Sequence, residues 1–297
     1  MNAFVLILPA GLLLLAGSLF AAHRWGLRAL ACVIPAFAAA AYMTALFHDA
    51  FVFLASSLII GTCTGFLFSG KLSLQRFLIT ASLLCASVSY GDYAFQSRVM
   101  HQDYLELSKT QAIEYVKASA VTDAEKAALL EWMDQAIPLV RRILPFYYFL
   151  SGLFWASCSY LFFSLIFRRR YMGVTPPAAG IEMFRLSDYL IFVLIASIAA
   201  VLAAGHEKRI VYVTALNALL ILATLYVIQA FGVIKFFLMK KHLPLALLPL
   251  TVILIPLLGI EAAVFAAMLL AGCGALDLWA DFRKLNSPAK SADDDID

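Results

Sequence analysis

Long apolar runs, joined by short charged connections, limit what this chain can fold into more than any other feature. AFVFLASSLIIGTCTGFLF (50–68) and YLIFVLIASIAAVLAA (189–204) contain no charged residue. About 18 or more apolar residues are the length of a helix crossing a ~30 Å hydrocarbon core. Backbone in hydrocarbon must satisfy its own hydrogen bonds, and these runs exceed the length of a barrel strand. The expected fold class is therefore all-α, a polytopic integral membrane helical bundle. Composition agrees. The chain is 63% hydrophobic and 14% charged, with a mean hydropathy of +0.90, whereas soluble domains are roughly 45–50% apolar and about 25% charged.

Hydropathy predicts about nine spans, near 3–22, 28–46, 50–69, 75–95, 143–167, 188–204, 210–234, 243–258 and 260–280. The first lacks the basic flank of a signal peptide and reads as a retained helix. The eighth holds Pro244, Pro249 and Pro256, so a kinked, tilted or re-entrant segment fits it. A tight hairpin near LLGIE then joins it to the ninth. The domain organisation expected is a four-helix membrane segment (1–95), an extracytoplasmic helical hairpin (96–142), a second membrane bundle (143–285) and a disordered acidic tail (286–297).

Basic residues set the expected orientation. With the N-terminus outside, the inner segments hold most of the 22 basic residues: Arg24, Arg28, Lys71, Arg76, Arg168, Arg169, Arg170, Arg185, Lys235, Lys240, Lys241, Arg283, Lys284 and Lys290. The short outer connections hold Lys208 and Arg209, while Arg141 and Arg142 run against the pattern. A bacterial cytoplasmic membrane with the C-terminus inside is the expected location. Net charge is only +3 and is spread over loops, which argues against nucleic acid as a partner.

The segment 96–142 contains no glycine, and Leu105, Ile113, Val116 and Ala120 recur at helical spacing. Thr122 and Glu125 form a capping box opening a second helix, whose apolar face is expected to be Ala128, Leu129, Trp132, Met133 and Ile137, with Trp132 and Met133 shielded.

Polar residues in or beside spans are the candidate sites: Arg185, Asp188, Asn217, Gln229, Asp277, Asp281 and Arg283. Ser187 or Asp188 is placed to cap the helix that follows, with Met183, Phe184 and Leu186 expected at the headgroup level. Asn217 is expected to bridge helices through its amide. Asp277 and Asp281 share a helix face, and Arg185, at the same expected depth, is predicted to pair with one of them. These roles are structural or for docking. No HExxH, GxSxG or phosphate-binding loop occurs, so no catalytic residue, metal or cofactor is expected and the chain does not read as an enzyme. Cys32, Cys63, Cys85, Cys158 and Cys273 fall in apolar runs as packing residues. Gly61 to Gly65 and GCG at 272–274 read as close helix-packing steps.

FRLSDYLIF (184–192), Asn217 in TALNALLILATLYVIQAFGVIKFFLMKKHLP, and GALDLWADFRK (274–284) resemble the YybS-like family of bacterial membrane proteins, domain of unknown function 2232. The terminal signature matches Gly274, Asp277, Trp279, Asp281, Phe282 and Arg283. Where the family has Leu-Gln-Gly, this chain has Ile228-Gln229-Ala230, which puts a tight backbone approach at that point in question. The resemblance is clear over the last third and weak over the first four spans. It implies a distant similarity to the substrate-binding components of energy-coupling-factor vitamin transporters, which bind a solute and borrow an external ATPase. The resulting expectation is a transport-associated solute-binding component without its own ATPase, with the lipid bilayer and a small-molecule solute or protein as partners. The alternative is a non-catalytic membrane scaffold or assembly partner using the 96–142 hairpin and the basic inner loops.

Overall fold

The computed structural model describes residues 3–25, 28, 51–101, 103–118, 122–170, 180–204, 209–257 and 259–283. Among them there is no strand. The helices are α1 (Ala3–Trp25), α2 (Phe51–Phe68), α3 (Leu74–Arg98), α4 (Tyr104–Ala118), α5 (Asp123–Arg170), α6 (Tyr189–Ala204), α7 (Arg209–Lys240), α8 (Leu247–Leu257) and α9 (Ile260–Ala280), with a 3-10 turn at Ile181–Met183. The expected span 28–46 and the tail 286–297 lie outside the described residues.

Among the described residues, four helices are long and apolar enough to cross a membrane: α2, α5 as far as Leu165, α7 and α9. α6 is apolar but shorter. The eighth expected span is corrected. α8 has 11 residues, about 16 Å at the helical rise and well short of a ~30 Å core. Its prolines explain the shortening. Pro244 stands before the helix, Pro249 sits in its first turn where the missing N–H costs nothing, and Pro256 ends it. Gly259, at φ +101°, supplies the left-handed turn into α9 that the LLGIE reading required.

By packing, the chain divides into two units. The first is Met1–Ala178 with Ala203–Ala218; the second is Ala179–Leu202 with Leu219–Asp297.

In the first unit α1 lies against α2, and α3 against α5. Small residues make this possible. A Cβ on Gly61 would run into the Leu15 carbonyl and Ser18 Oγ, and one on Gly65 into the Leu19 carbonyl and Ala22 Cβ. Gly152 does the same for α5, where an added Cβ would meet Cys85 Cβ at 3.0 Å and Ser82 Cα at 3.1 Å. Hydroxyls here return to their own helix. Ser57, Thr62, Thr64 and Ser82 donate to the carbonyls of Phe53, Leu58, Ile60 and Leu78 at 2.6–2.8 Å, so few polar groups are left to satisfy between helices.

The polar excursion folds as α4 and the first turns of α5. Asp103 accepts from the Leu105 N–H at 3.0 Å to start α4. The capping box forms as expected: Glu125 Oε2 accepts from the Thr122 N–H at 3.1 Å, and Thr122 Oγ1 from the Glu125 N–H at 3.4 Å. Hydrogen bonds from the Thr122 hydroxyl (2.6 Å) and then its N–H hold the exposed Glu125 carboxyl below its usual range. Two expectations fail. The second helix does not stop at the membrane boundary but continues as one 48-residue helix through 142/143, with Pro138 and Pro145 inside it. Hydropathy changes at that point, and the helix continues across Pro145, where Asn217 holds the Phe146 N–H and the Arg142 carbonyl. The inward face is also rotated. Trp132 is 66% exposed and Leu129 42%, while Leu130, Met133 and Ile137 are half-buried. Salt bridges fix this phase: Lys109 to Asp134 at 2.7 Å, and Arg141 to Asp103 at 2.7 Å and Glu106 at 3.0 Å.

Candidate functional site

In the second unit, five of the seven candidate residues converge on a single cluster. α9 ends at Ala280 because Asp281 adopts the left-handed conformation (φ 42°), its N–H bonding back to the Asp277 carbonyl. This αL turn reverses the chain and lays Arg283 over Asp277. Arg283 Nε donates to Asp277 Oδ2 at 3.1 Å, and Nη2 binds the same oxygen. Nη1 donates to the backbone carbonyls of Glu182 (2.7 Å) and Phe184 (3.0 Å). Gln229 completes the group from α7. Its Nε2 donates to the Gly274 carbonyl (3.0 Å) and Asp277 Oδ2 (3.2 Å), and its Oε1 accepts from the Leu186 N–H (2.9 Å). Gln229, Asp277 and Arg283 are 0%, 1% and 3% exposed. Burial at that level makes their pairing obligatory, because a charge in low dielectric without a counter-charge is costly.

Arg185 borders the cluster. Its Nη1 lies 3.6 Å from Asp281 Oδ1, an ion contact just beyond hydrogen-bond length, and its Nη2 donates to the Leu278 carbonyl at 3.3 Å. The expected pairing of Arg185 with the aspartates is thus met through Asp281, while Asp277 goes to Arg283. Asp188 stands directly before α6, mostly exposed, with Oδ1 3.5 Å from Arg185. Phe184 and Leu186 are 2% and 1% exposed. They are buried in protein, the carbonyl of one and the N–H of the other tied into the cluster. Glu182, which sequence reasoning left without a partner, pairs with Lys235 at 2.6 Å. Burial alone would raise the Glu182 carboxyl. The hydrogen bond and charge of Lys235, with backbone N–H groups of Glu182 and Gly180, outweigh it and hold the carboxyl below its usual range.

The tight backbone approach put in question at Ala230 exists, with the glycine supplied from the other side. A Cβ on Gly274 would run into the Tyr226 carbonyl and come within 3.1 Å of the Ala230 nitrogen. Gly232 likewise gives room to the Ile181 carbonyl.

Asn217 lies elsewhere, in the first unit. Its Oδ1 accepts from the Phe146 N–H at 2.9 Å and its Nδ2 donates to the Arg142 carbonyl at 2.7 Å. Those are the two groups that bond to each other in an uninterrupted helix. Pro145 lies between them and lacks an N–H, so the Asn217 amide supports α5 where its ladder is weakest.

The first unit also holds a partly open cavity of about 820 Å³ between α1, α2, α3 and α5. Ser56, Ser57, Ser89, Tyr148, Ser151 and Ser159 supply hydroxyls, and Phe53, Trp155, Phe162 and Phe163 supply rings. No described lining residue is charged. Its volume lies in the ~300–1,000 Å³ range of small-molecule sites.

The family model described as predicted membrane protein (DUF2232) matches residues 5–278. The chain belongs to this family. The match takes in the first four expected spans, where the resemblance seemed weak from the residues alone. No curated protein and no solved structure matches the chain. Two features of this DUF2232 protein escaped the sequence reading. The Glu182–Lys235 pair joins residues far apart in sequence and leaves no periodic trace. The cavity is lined by small and aromatic residues that resemble ordinary packing; Ser56 and Ser57, and Ser151 with Ser159, were the available signal.

Proposed function

We propose that this DUF2232 protein is a transport-associated solute-binding component of the bacterial cytoplasmic membrane, with no ATPase of its own and no catalytic chemistry. The observation that carries the reading is the 820 Å³ cavity of the first unit, bounded by hydroxyls and rings. The similarity to the binding components of energy-coupling-factor transporters that the sequence resemblance implies is the second support for this reading. In this reading the N-terminus lies outside and the C-terminus in the cytoplasm. A cysteine at residue 110 labels from outside and one at residue 172 from inside; the reverse pattern sinks the orientation. The ligand test uses protein purified from native membranes in mild detergent. Mass spectrometry is expected to find a small molecule that co-purifies with the wild type and is lost from Ser56→Trp, which fills the cavity, at unchanged thermal stability. No such difference would overturn the reading.

The scaffold reading draws on a different observation. Tyr115 and Trp132 on the α4–α5 excursion are 78% and 66% exposed, large rings of the kind that anchor protein interfaces. A stoichiometric protein partner lost on Trp132→Ala, with nothing in the cavity, would favour it.

A further inference from the structure

We infer that the ligand of the first unit is an uncharged, elongated amphiphile: a lipid chain ending in a neutral polar group such as a hydroxyl or ester. The inference rests on the solute-binding reading and names the class of solute.

Three properties of the cavity carry it. The first is charge. A charged solute entering this space would be stripped of water with no described counter-charge in the wall, and burying an unpaired charge costs far more than a cavity returns. The second is shape. The α5 lining runs from Tyr148 to Phe163, about 22 Å along a helix rising ~1.5 Å per residue. A compact polar molecule does not fill such a length, but an extended chain does. The third is polarity along that length. α3 and α5 run antiparallel through the Gly152 contact with Ser82 and Cys85, so Ser89 comes level with Tyr148. Ser89, Tyr148 and Ser151 therefore gather hydroxyls at one end, while Phe162 and Phe163 line the other beside Ser159, whose hydroxyl is engaged with Thr64 Oγ1 at 3.5 Å. The neutral headgroup belongs at the first end and the chain tip at the second.

The way in agrees with this class. Trp155 and Phe162 line the cavity yet are 54% and 60% exposed, so the space opens between rings on the side of the bundle. In a bilayer that opening faces hydrocarbon, from which a lipid enters without crossing water.

The test uses the full chain in nanodiscs with two long-chain fatty alcohols, one carrying a diazirine beside the hydroxyl and the other at the chain tip. After photolysis, the first probe is expected to mark peptides bearing Ser89, Tyr148 or Ser151, and the second those bearing Phe162 and Phe163. Ser151→Trp and, independently, Ile60→Trp should each reduce both signals roughly tenfold, a loss of about 1.4 kcal/mol of binding. Excess monoacylglycerol should compete, and a fatty acid held ionised at high pH should not. Labels spread over the exposed faces of all helices and untouched by either tryptophan would report bulk lipid and overturn the inference. Competition by the ionised acid equal to that of monoacylglycerol would overturn the neutral class. A water-soluble polar molecule that co-purifies and is lost from Ser151→Trp, with no specific labelling by the alcohols, would overturn the lipid class and leave the solute-binding reading standing.

Discussion

Gly61, Gly65 and Gly152 bring helix backbones together in the first unit, and the serine and threonine hydroxyls beside them bond to their own helices. Gly232 and Gly274 bring backbones together in the second unit, yet there the space between elements is taken by a carboxylate, a guanidinium and an amide bonded to one another. Both units thus use missing side chains for closeness and differ in what fills the remaining volume. The first leaves a cavity walled by rings and hydroxyls with no charge among its described lining residues. The second fills its centre with charges that cannot be separated cheaply. A space without charge can exchange an uncharged occupant. A buried ion pair holds its elements in one arrangement.

The most severe break of that contrast is expected at Arg283. Arg283→Met leaves Asp277 buried without its counter-charge and frees the carbonyls of Glu182 and Phe184. Removing one partner of a buried pair costs about 3–5 kcal/mol. Chemical unfolding in detergent should show that loss, with faster hydrogen exchange over 180–188 than in the wild type. The double variant Asp277→Leu/Arg283→Met should recover part of it, since no charge is then stranded. Equal loss in the single and double variants would mean that the cluster stabilises by shape and not by charge.

In the first unit the comparable break is steric. Gly65→Ala drives a methyl into the Leu19 carbonyl and Ala22. Overpacking of this kind costs about 1–3 kcal/mol. Lowered thermal stability without any change in the salt dependence of unfolding would match packing by closeness alone. A marked change in that dependence would show that this contact is coupled to the salt bridges of the same unit.

These differences also explain what could be read from the sequence. Polar side chains inside an apolar chain stand out, so Arg185, Gln229, Asp277, Asp281 and Arg283 were among the candidates before any coordinates, and the pairing of Arg185 with an aspartate was expected. The pairing of Arg283 with Asp277 was not. Helical periodicity puts Arg283 away from Asp277, and only the left-handed turn at Asp281 brings it back. The joining of the excursion to its span in α5 was hidden because hydropathy rises after residue 142 and Pro145 reads as a break. The rotation that leaves Trp132 outward came from long-range salt bridges of Lys109 and Arg141, which no local pattern reports. The cavity was the least legible feature, since an empty volume is set by how helices tilt and not by residue type.

Asn217 brings a weaker test, because it places an amide where its own unit otherwise relies on hydroxyls and small residues. Asn217→Leu removes the acceptor of the Phe146 N–H and the donor to the Arg142 carbonyl. Those two groups can recover part of the loss by bonding to each other across the turn. The expected cost is therefore about 1 kcal/mol, near the ordinary worth of one hydrogen bond. Faster exchange of the Phe146 amide is the local readout. An unchanged exchange rate would show that the helix ladder closes fully without the bridge.

The smallest effect is expected at the edge of the second unit's cluster, in the Glu182–Lys235 pair. Both side chains retain some solvent, 17% and 25%, so screening reduces the pair to about 0.2–1 kcal/mol. Its pH dependence has a definite sign. The folded carboxyl is held below its usual range, so folding favours the ionised form. The stabilisation is complete above the unfolded value near ~4.3. It fades as pH falls through the folded value, where the protonated acid no longer attracts Lys235. Glu182→Gln should therefore cost a little stability at pH 7 and nothing once the wild-type carboxyl is protonated, the two unfolding curves meeting on the acid side. A gap between Glu182→Gln and wild type that stays constant with pH would place the contribution of Glu182 in its contact with Gly180 and not in its charge.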